Sequence, residues 1–161
     1  MSRIIAVMAT PPLSDGPVAT TIVVFGATGP TGQRIVSRAL EEGYRIVAAA
    51  RHPGAPRIDR PDVEVVPVDV VDSDADLDPL IEGAVSVLSA LGCRERRPTT
   101  VYSTGTRRIV EAMGRQQVRR LICISSEGIE IPPGLPWPQR VVMSQVIQRL
   151  YRHQYADMAK M

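Results

Sequence analysis

The chain has 161 residues, 44% of them hydrophobic and 22% charged, which is the length and make-up of one globular domain. No apolar run approaches the ~20 residues that a membrane-spanning helix needs, and Met1 to Ala9 is too short and poorly flanked for a secretory signal, so no membrane contact and a cytoplasmic location are expected. A net charge of +2 is too small to call for nucleic acid, and Phe25, Trp137 and four Tyr are too few to build a base-stacking surface among basic residues.

Residues 1–19, with Pro11, Pro12, Gly16 and Pro17 among polar neighbours, read as a flexible leader, and residues 20–161 as the folded domain. Thr21 to Phe25 lies in a short, β-branched, continuously apolar run, the mark of a strand buried on both faces. It leads into GATGPTG, Gly26 to Gly32, and then a helix with Ile35, Val36, Ala39 and Leu40 at helical spacing and Gly43 as its stop. Tyr44 to Ala50 and Val63 to Val68 read as the second and third strands, joined by a turn-rich loop at Pro53 to Pro61. An acidic helix is expected over Asp72 to Gly83, and a fourth strand over Ala84 to Leu91. A helix over Thr99 to Gln116 should bury Val101, Ile109, Ala112 and Met113, and Arg120 to Ser126 reads as the fifth strand. After a Pro-rich loop at Glu127 to Pro138, a last helix would carry Met143, Val146, Ile147, Leu150 and Tyr151 on one face.

Strands alternating with helices imply an α/β fold, a doubly wound Rossmann-type parallel sheet of five strands in the order 3-2-1-4-5, with its ligand crevice at the carboxyl ends of the strands. At the first strand end, Gly26 permits a tight turn, Gly29 lets backbone approach a pyrophosphate, and Gly32 allows close helix-strand packing. The helix that follows offers free N–H groups and a positive dipole end to phosphates. At the second strand end, where an acid about 20 residues past the glycines would take the ribose hydroxyls of NAD, stands Arg51, which suits the 2′-phosphate of NADP; the plain alternative is a solvated loop charge. Arg57, Arg60 and His52 lie close by in sequence. Asp69 and Val70 end the third strand and Leu91 and Gly92 the fourth, while Ser125 and Ser126 end the fifth as candidate catalytic hydroxyls or simple turn caps.

Other features read as structural. The alternating acids from Asp69 to Asp78 lack the Gly and terminal Glu of a calcium loop, so no metal site is expected. Cys93 and Cys123 lie in apolar settings without metal-ligand spacing and read as buried free thiols. Of the 19 basic residues only Lys160 is a lysine; Arg suits phosphate, but an Ala-, Val- and Pro-rich chain accounts for most of that bias through base composition.

GATGPTG, the Arg51 strand end, SALGCR followed by PTTV, and ICISS occur in one order. Over residues 21–126 this set resembles the atypical short-chain dehydrogenase/reductase group of NAD(P)H-binding proteins, and within it the biliverdin-IXβ reductase/flavin reductase type. The resemblance implies NADPH as cofactor, with contacts from Gly26, Thr28, Gly29, Pro30, Thr31, Arg51, Asp69, Val70, Leu91, Gly92 and Arg94, and places Ser125 and Ser126 beside the nicotinamide. Pro30 stands where the family commonly has glutamine and removes one N–H from the phosphate cradle. The Tyr-x-x-x-Lys pair of ordinary short-chain dehydrogenases is absent. The family continues into a sixth strand and a C-terminal substrate region, which this chain is expected to lack.

Three functional expectations follow. The first is an NADPH-dependent reductase acting on a planar small molecule such as a flavin or bilin, with Trp137 either walling the acceptor site or packing in the core. The second is a non-catalytic NADP(H)-binding module resembling the NmrA-like redox sensors. The third is a shortened member that needs a protein partner over the exposed edge of the fifth strand.

Overall fold

Strand β1, Thr21–Phe25, is the centre of the sheet, and its alternating side chains divide between two cores: Val23 and Phe25 enter one, Ile22 and Val24 the other. The computed structural model describes residues 20–52, 62–93, 98–125, 136–138 and 151–161. Within them β1 is followed by α1 (Pro30–Glu41), β2 (Arg45–Ala50), β3 (Val63–Pro67), α2 (Asp78–Ile81), β4 (Ser86–Ser89), α3 (Val101–Arg115), β5 (Leu121–Cys123) and α4 (Arg152–Met158). The five strands are all parallel, in the order β3-β2-β1-β4-β5. This is the Rossmann-like α/β arrangement expected from the alternation of elements.

The two cores are the two faces of this sheet. α1 supplies Val36 and Ala39 to one, against Ile22, Val24, Ile46 and Ala48. Leu80 and Ile81 of α2 and Ile109, Ala112 and Met113 of α3 pack on the other, against Val23, Phe25, Ala49 and Val87. Apolar surface on both faces explains why β1 and most of β2 read as continuous hydrophobic runs, whereas β4 carries the buried Ser86 and Ser89 at its ends.

Three corrections concern local structure. The helix expected from Asp72 begins only at Asp78. The Asp side chains compete with helix formation by accepting hydrogen bonds from amides two residues on, Val71 to Asp69, Asp74 to Asp72 and Asp78 to Asp76, and each pins a turn. Both cysteines are free, as expected, but half-buried rather than buried. Trp137 is 77% exposed and does not pack in the core. The leader at 1–19, the loop at 53–61 and Met143 to Leu150 lie outside the described residues, while Tyr151 is an exposed residue preceding α4.

Helices α1 and α3 end in the same way with different chemistry. After α1, Gly43 is left-handed at φ 83°, with Gly43 N–H donating to Leu40 O at 3.0 Å and Tyr44 N–H to Ala39 O at 3.0 Å. After α3, Gln117 takes that conformation at φ 57°, and Val118 N–H donates to Met113 O at 2.9 Å. A side chain in this region costs about 1–2 kcal/mol. Gln117→Gly is therefore expected to stabilise the domain by up to about 1 kcal/mol after the larger chain entropy of glycine is subtracted, a shift readable in the urea midpoint.

Candidate functional site

A cleft of about 810 Å³ opens over the carboxyl ends of the strands, across the point between β1 and β4 where the strand order reverses. Gly26, Thr28, Gly29, Pro30 and Thr31 line it from the loop between β1 and α1. Arg51 lines it beyond β2, Asp69 and Val70 beyond β3, and Leu91 and Gly92 beyond β4. Ten of the residues singled out from sequence thus share one cavity, although they span residues 26 to 92.

The three glycines have separate roles. Gly26 is left-handed at φ 74°, and a Cβ there would run into the Ala90 carbonyl of the strand beside it. Gly32 does not line the cleft; a Cβ there would strike the backbone of Gly26 and Ala27, so its small size sets how closely α1 approaches β1. At Gly29 a Cβ would meet only the Gly26 carbonyl oxygen, at 3.3 Å, and Gly29 borders the cleft. Of the three, it is the one where a side chain would meet least.

The start of α1 is chemically open. Gly29 caps it without a side-chain hydrogen bond, Pro30 occupies the first turn, and no acidic residue lies there. Gln33 Nε2 donates to Thr28 O at 2.8 Å, and Gly29 N–H to Gly26 O at 3.1 Å, which hold the loop to the helix without filling its dipole end. An anion is favoured at such a terminus.

The start of α3 is the reverse case. The buried Asp157 carboxylate, carried by α4, accepts from Tyr102 N–H at 2.9 Å and Ser103 N–H at 3.3 Å, and from the Ser103 hydroxyl. Tyr102 lines the cleft, and its hydroxyl accepts from Cys93 N–H at 3.1 Å. Burial raises the Tyr102 phenol above its usual pKa, against the opposing effect of its hydrogen bond with the Cys93 amide. Burial also raises the Cys123 thiol, against the opposing effect of its hydrogen bond with Ser89.

Arg51 is exposed at the rim, forms no ion pair among the described residues, and is followed by His52, also a cleft residue, rather than by an acid. Asp69 uses one carboxylate oxygen to accept from Val71 N–H at 3.1 Å, which fixes the turn under the cleft wall. At the end of β5 it is Ile124 that lines the cleft, while the adjoining Ser125 is half-buried and outside the lining. Trp137 is not a lining residue either. Arg94, Ser126, Arg57 and Arg60 lie outside the described residues. Sequence reading missed the lining roles of Gln33 and Tyr102, each directly following a motif, took Cys93 inside SALGCR for a buried thiol, and missed Asp157, which lies 55 residues from its main partner and carries no local signal.

Among solved structures, a Rossmann-fold NAD(P)-binding family protein from Shigella flexneri is similar over 83% of this chain and 63% of its own, with 20% identity and a TM-score of 0.56. An oxidoreductase from Lactococcus lactis is similar over 85% of this chain and 63% of its own, with 19% identity and a TM-score of 0.61. At these identities the likeness concerns the fold. An uncharacterized chloroplastic protein of Arabidopsis thaliana is 31% identical over 113 residues, and the match spans 65% of this chain but only 40% of that relative. Among the described residues no helix is long and apolar enough to cross a membrane. The sequence matches the family described as NAD(P)H-binding over residues 26–160, most of its length and all of the cleft lining except Phe25, and the chain belongs to that family.

Proposed function

We propose that the cleft binds NADPH in preference to NADH and that the protein is a reductase delivering hydride to a planar acceptor of the flavin or bilin type. The observation that carries the nucleotide choice is Arg51: a guanidinium with no carboxylate partner among the described residues, at the rim of the cleft beyond β2, where a 2′-phosphate would meet it. The residues present fit a dinucleotide, since the uncapped start of α1 and the open side of Gly29 form a phosphate cradle. Thr28 and Thr31 border that cradle, and Pro30 contributes no N–H to it. Asp69, Val70 and Leu91 would wall the adenine half, and Gly92 leaves the backbone beside the cleft uncovered. Arg94, Ser125 and Ser126 remain the family-derived candidates for phosphate and nicotinamide contact.

A reduced nicotinamide supplies the hydride when bound. The chain has then to orient the acceptor and keep its face against the cleft, with the proton coming from solvent, because a conjugated acceptor is its own electron sink. This division of labour agrees with the absence of a Tyr-x-x-x-Lys pair and with a cleft lined by apolar Ile124 at the end of β5. The same apolar end favours a second reading, a non-catalytic NADP(H)-binding module of the NmrA-like kind. A protein partner over β5, which pairs only with β4 among the described residues, would belong to the third expectation, a shortened member completed by that partner. We place the protein in the cytoplasm, whereas the Arabidopsis relative is described as chloroplastic.

The test is a calorimetric titration of the 161-residue chain with NADPH and NADH, followed by NADPH oxidation with FMN added. Selective NADPH binding with turnover supports the reductase, binding without turnover the module, and no binding rejects both. Arg51→Ala should weaken NADPH binding by roughly 1–3 kcal/mol and leave NADH almost unchanged; equal losses for both would remove its 2′-phosphate role. Gly29→Val should abolish binding of both nucleotides while the domain stays folded by circular dichroism. Gly32→Ala should instead lower stability by about 1–3 kcal/mol in urea melts, because its contact is with backbone that has nowhere to move.

A further inference from the structure

The acidic turn after β3 is held by one side chain of α3 that no motif identifies. The Arg108 guanidinium, on α3, donates to Val70 O at 3.0 Å, to Asp72 O, to Ser73 O at 3.3 Å and to Ala75 O at 2.5 Å. Four main-chain carbonyls of one turn therefore converge on a single planar cation, although the turn carries several carboxylates. Only a fork of several N–H donors can hold such a set, and a lysine ammonium offers a point charge with three.

The first of those carbonyls belongs to Val70, a buried residue of the cleft wall that follows Asp69. One helical turn before Arg108, Gly105 presses on the same residue: a Cβ at Gly105 would lie 2.8 Å from Val70 Cγ2 and 3.0 Å from Leu91 Cδ1. α3 thus fixes Val70 twice, by its main chain through Arg108 and by its side chain through Gly105. We propose that Arg108 is a positioning residue for the adenine half of the nucleotide site: by clamping residues 70–75 it sets the depth of the wall formed by Val70 and Asp69, without itself touching the ligand. This rests on the nucleotide reading of the cleft and adds to it a residue outside every recognised motif.

The experiment uses the full chain, its Arg108→Lys variant and its Arg108→Met variant. Each is titrated with NADPH, with adenosine 2′,5′-bisphosphate as the adenine half, and with reduced nicotinamide mononucleotide as the other half. Arg108→Met should weaken NADPH and the adenosine bisphosphate together, by roughly tenfold for the equivalent of one lost hydrogen bond, and leave the mononucleotide unchanged. Arg108→Lys should fall closer to the Met variant than to the unaltered chain. Unchanged affinities, or equal losses for both halves, would overturn the proposal. A second measurement serves if Arg108→Met fails to fold. In the unaltered chain, exchange of the Val71, Asp74 and Ala75 amides should slow with adenosine bisphosphate and not with the mononucleotide; no slowing would also overturn it. An unaltered chain that binds neither NADPH nor the bisphosphate would reject the nucleotide reading itself and this role with it, whereas a normal parent beside unaffected variants rejects Arg108 alone.

Discussion

A Cβ at residue 32 would collide with the main chain of Gly26 and Ala27, and that contact determines where α1 can start. β1 is buried on both faces, so it cannot shift to make room; α1 has to come to it. Once Gly32 sits against the turn, the uncapped start of α1 faces the strand ends instead of a neighbouring element. The cleft exists because the first crossover is tight. Its chemistry follows from the same geometry, since a helix terminus brought this close to the β1/β4 reversal presents a positive end to whatever occupies the crevice.

The opposite wall is organised by α3, and here polar contacts act where packing alone leaves freedom. Asp157 fills the start of the helix, Tyr102 ties it to Cys93 in the segment after β4, and Arg108 ties its middle to the turn after β3. Further on, Arg115 holds Asp78 of α2 through a two-pronged pair of 2.7 to 3.0 Å, and that guanidinium keeps the Asp78 carboxyl below its ordinary pKa. One helix is therefore connected in turn to α4, β4, β3 and α2. Most of these bonds end on main-chain atoms, so they fix the path of the chain more than the pose of a side chain.

The strand order and the residues around the cleft were legible because their signals are local: continuous apolar runs for strands buried on two faces, a glycine spacing that admits one close helix approach, and residues at the strand ends. The acidic segment misled for an equally local reason, since its carboxylates bond amides two residues ahead and form turns where charge and spacing suggested helix. The end of α3 lay where the sequence placed it, but the left-handed backbone of Gln117 just beyond was not legible, because that position lacks the usual glycine. Asp157 and Arg108 were invisible for another reason. Their partners lie 55 and 33 to 38 residues away, and nothing in either neighbourhood marks a residue whose role is to bond distant backbone.

The two helix termini bordering the cleft settle where a bound anion can sit. A positive helix end near a cavity attracts any carboxylate or phosphate, so two open ends would offer competing positions and leave a diphosphate poorly oriented. In this chain the competition is resolved internally, because the Asp157 carboxylate occupies the α3 terminus and takes the amides of Tyr102 and Ser103. The α1 terminus has neither an acid nor a side-chain cap. On the proposed reading, phosphate would be directed to the glycine loop, with Arg51 to one side of it beyond β2 and the apolar lining of Val70, Leu91 and Val101 left for a flat ring. On the proposed nucleotide reading, the closed terminus would orient a dinucleotide in the cleft as much as the open one.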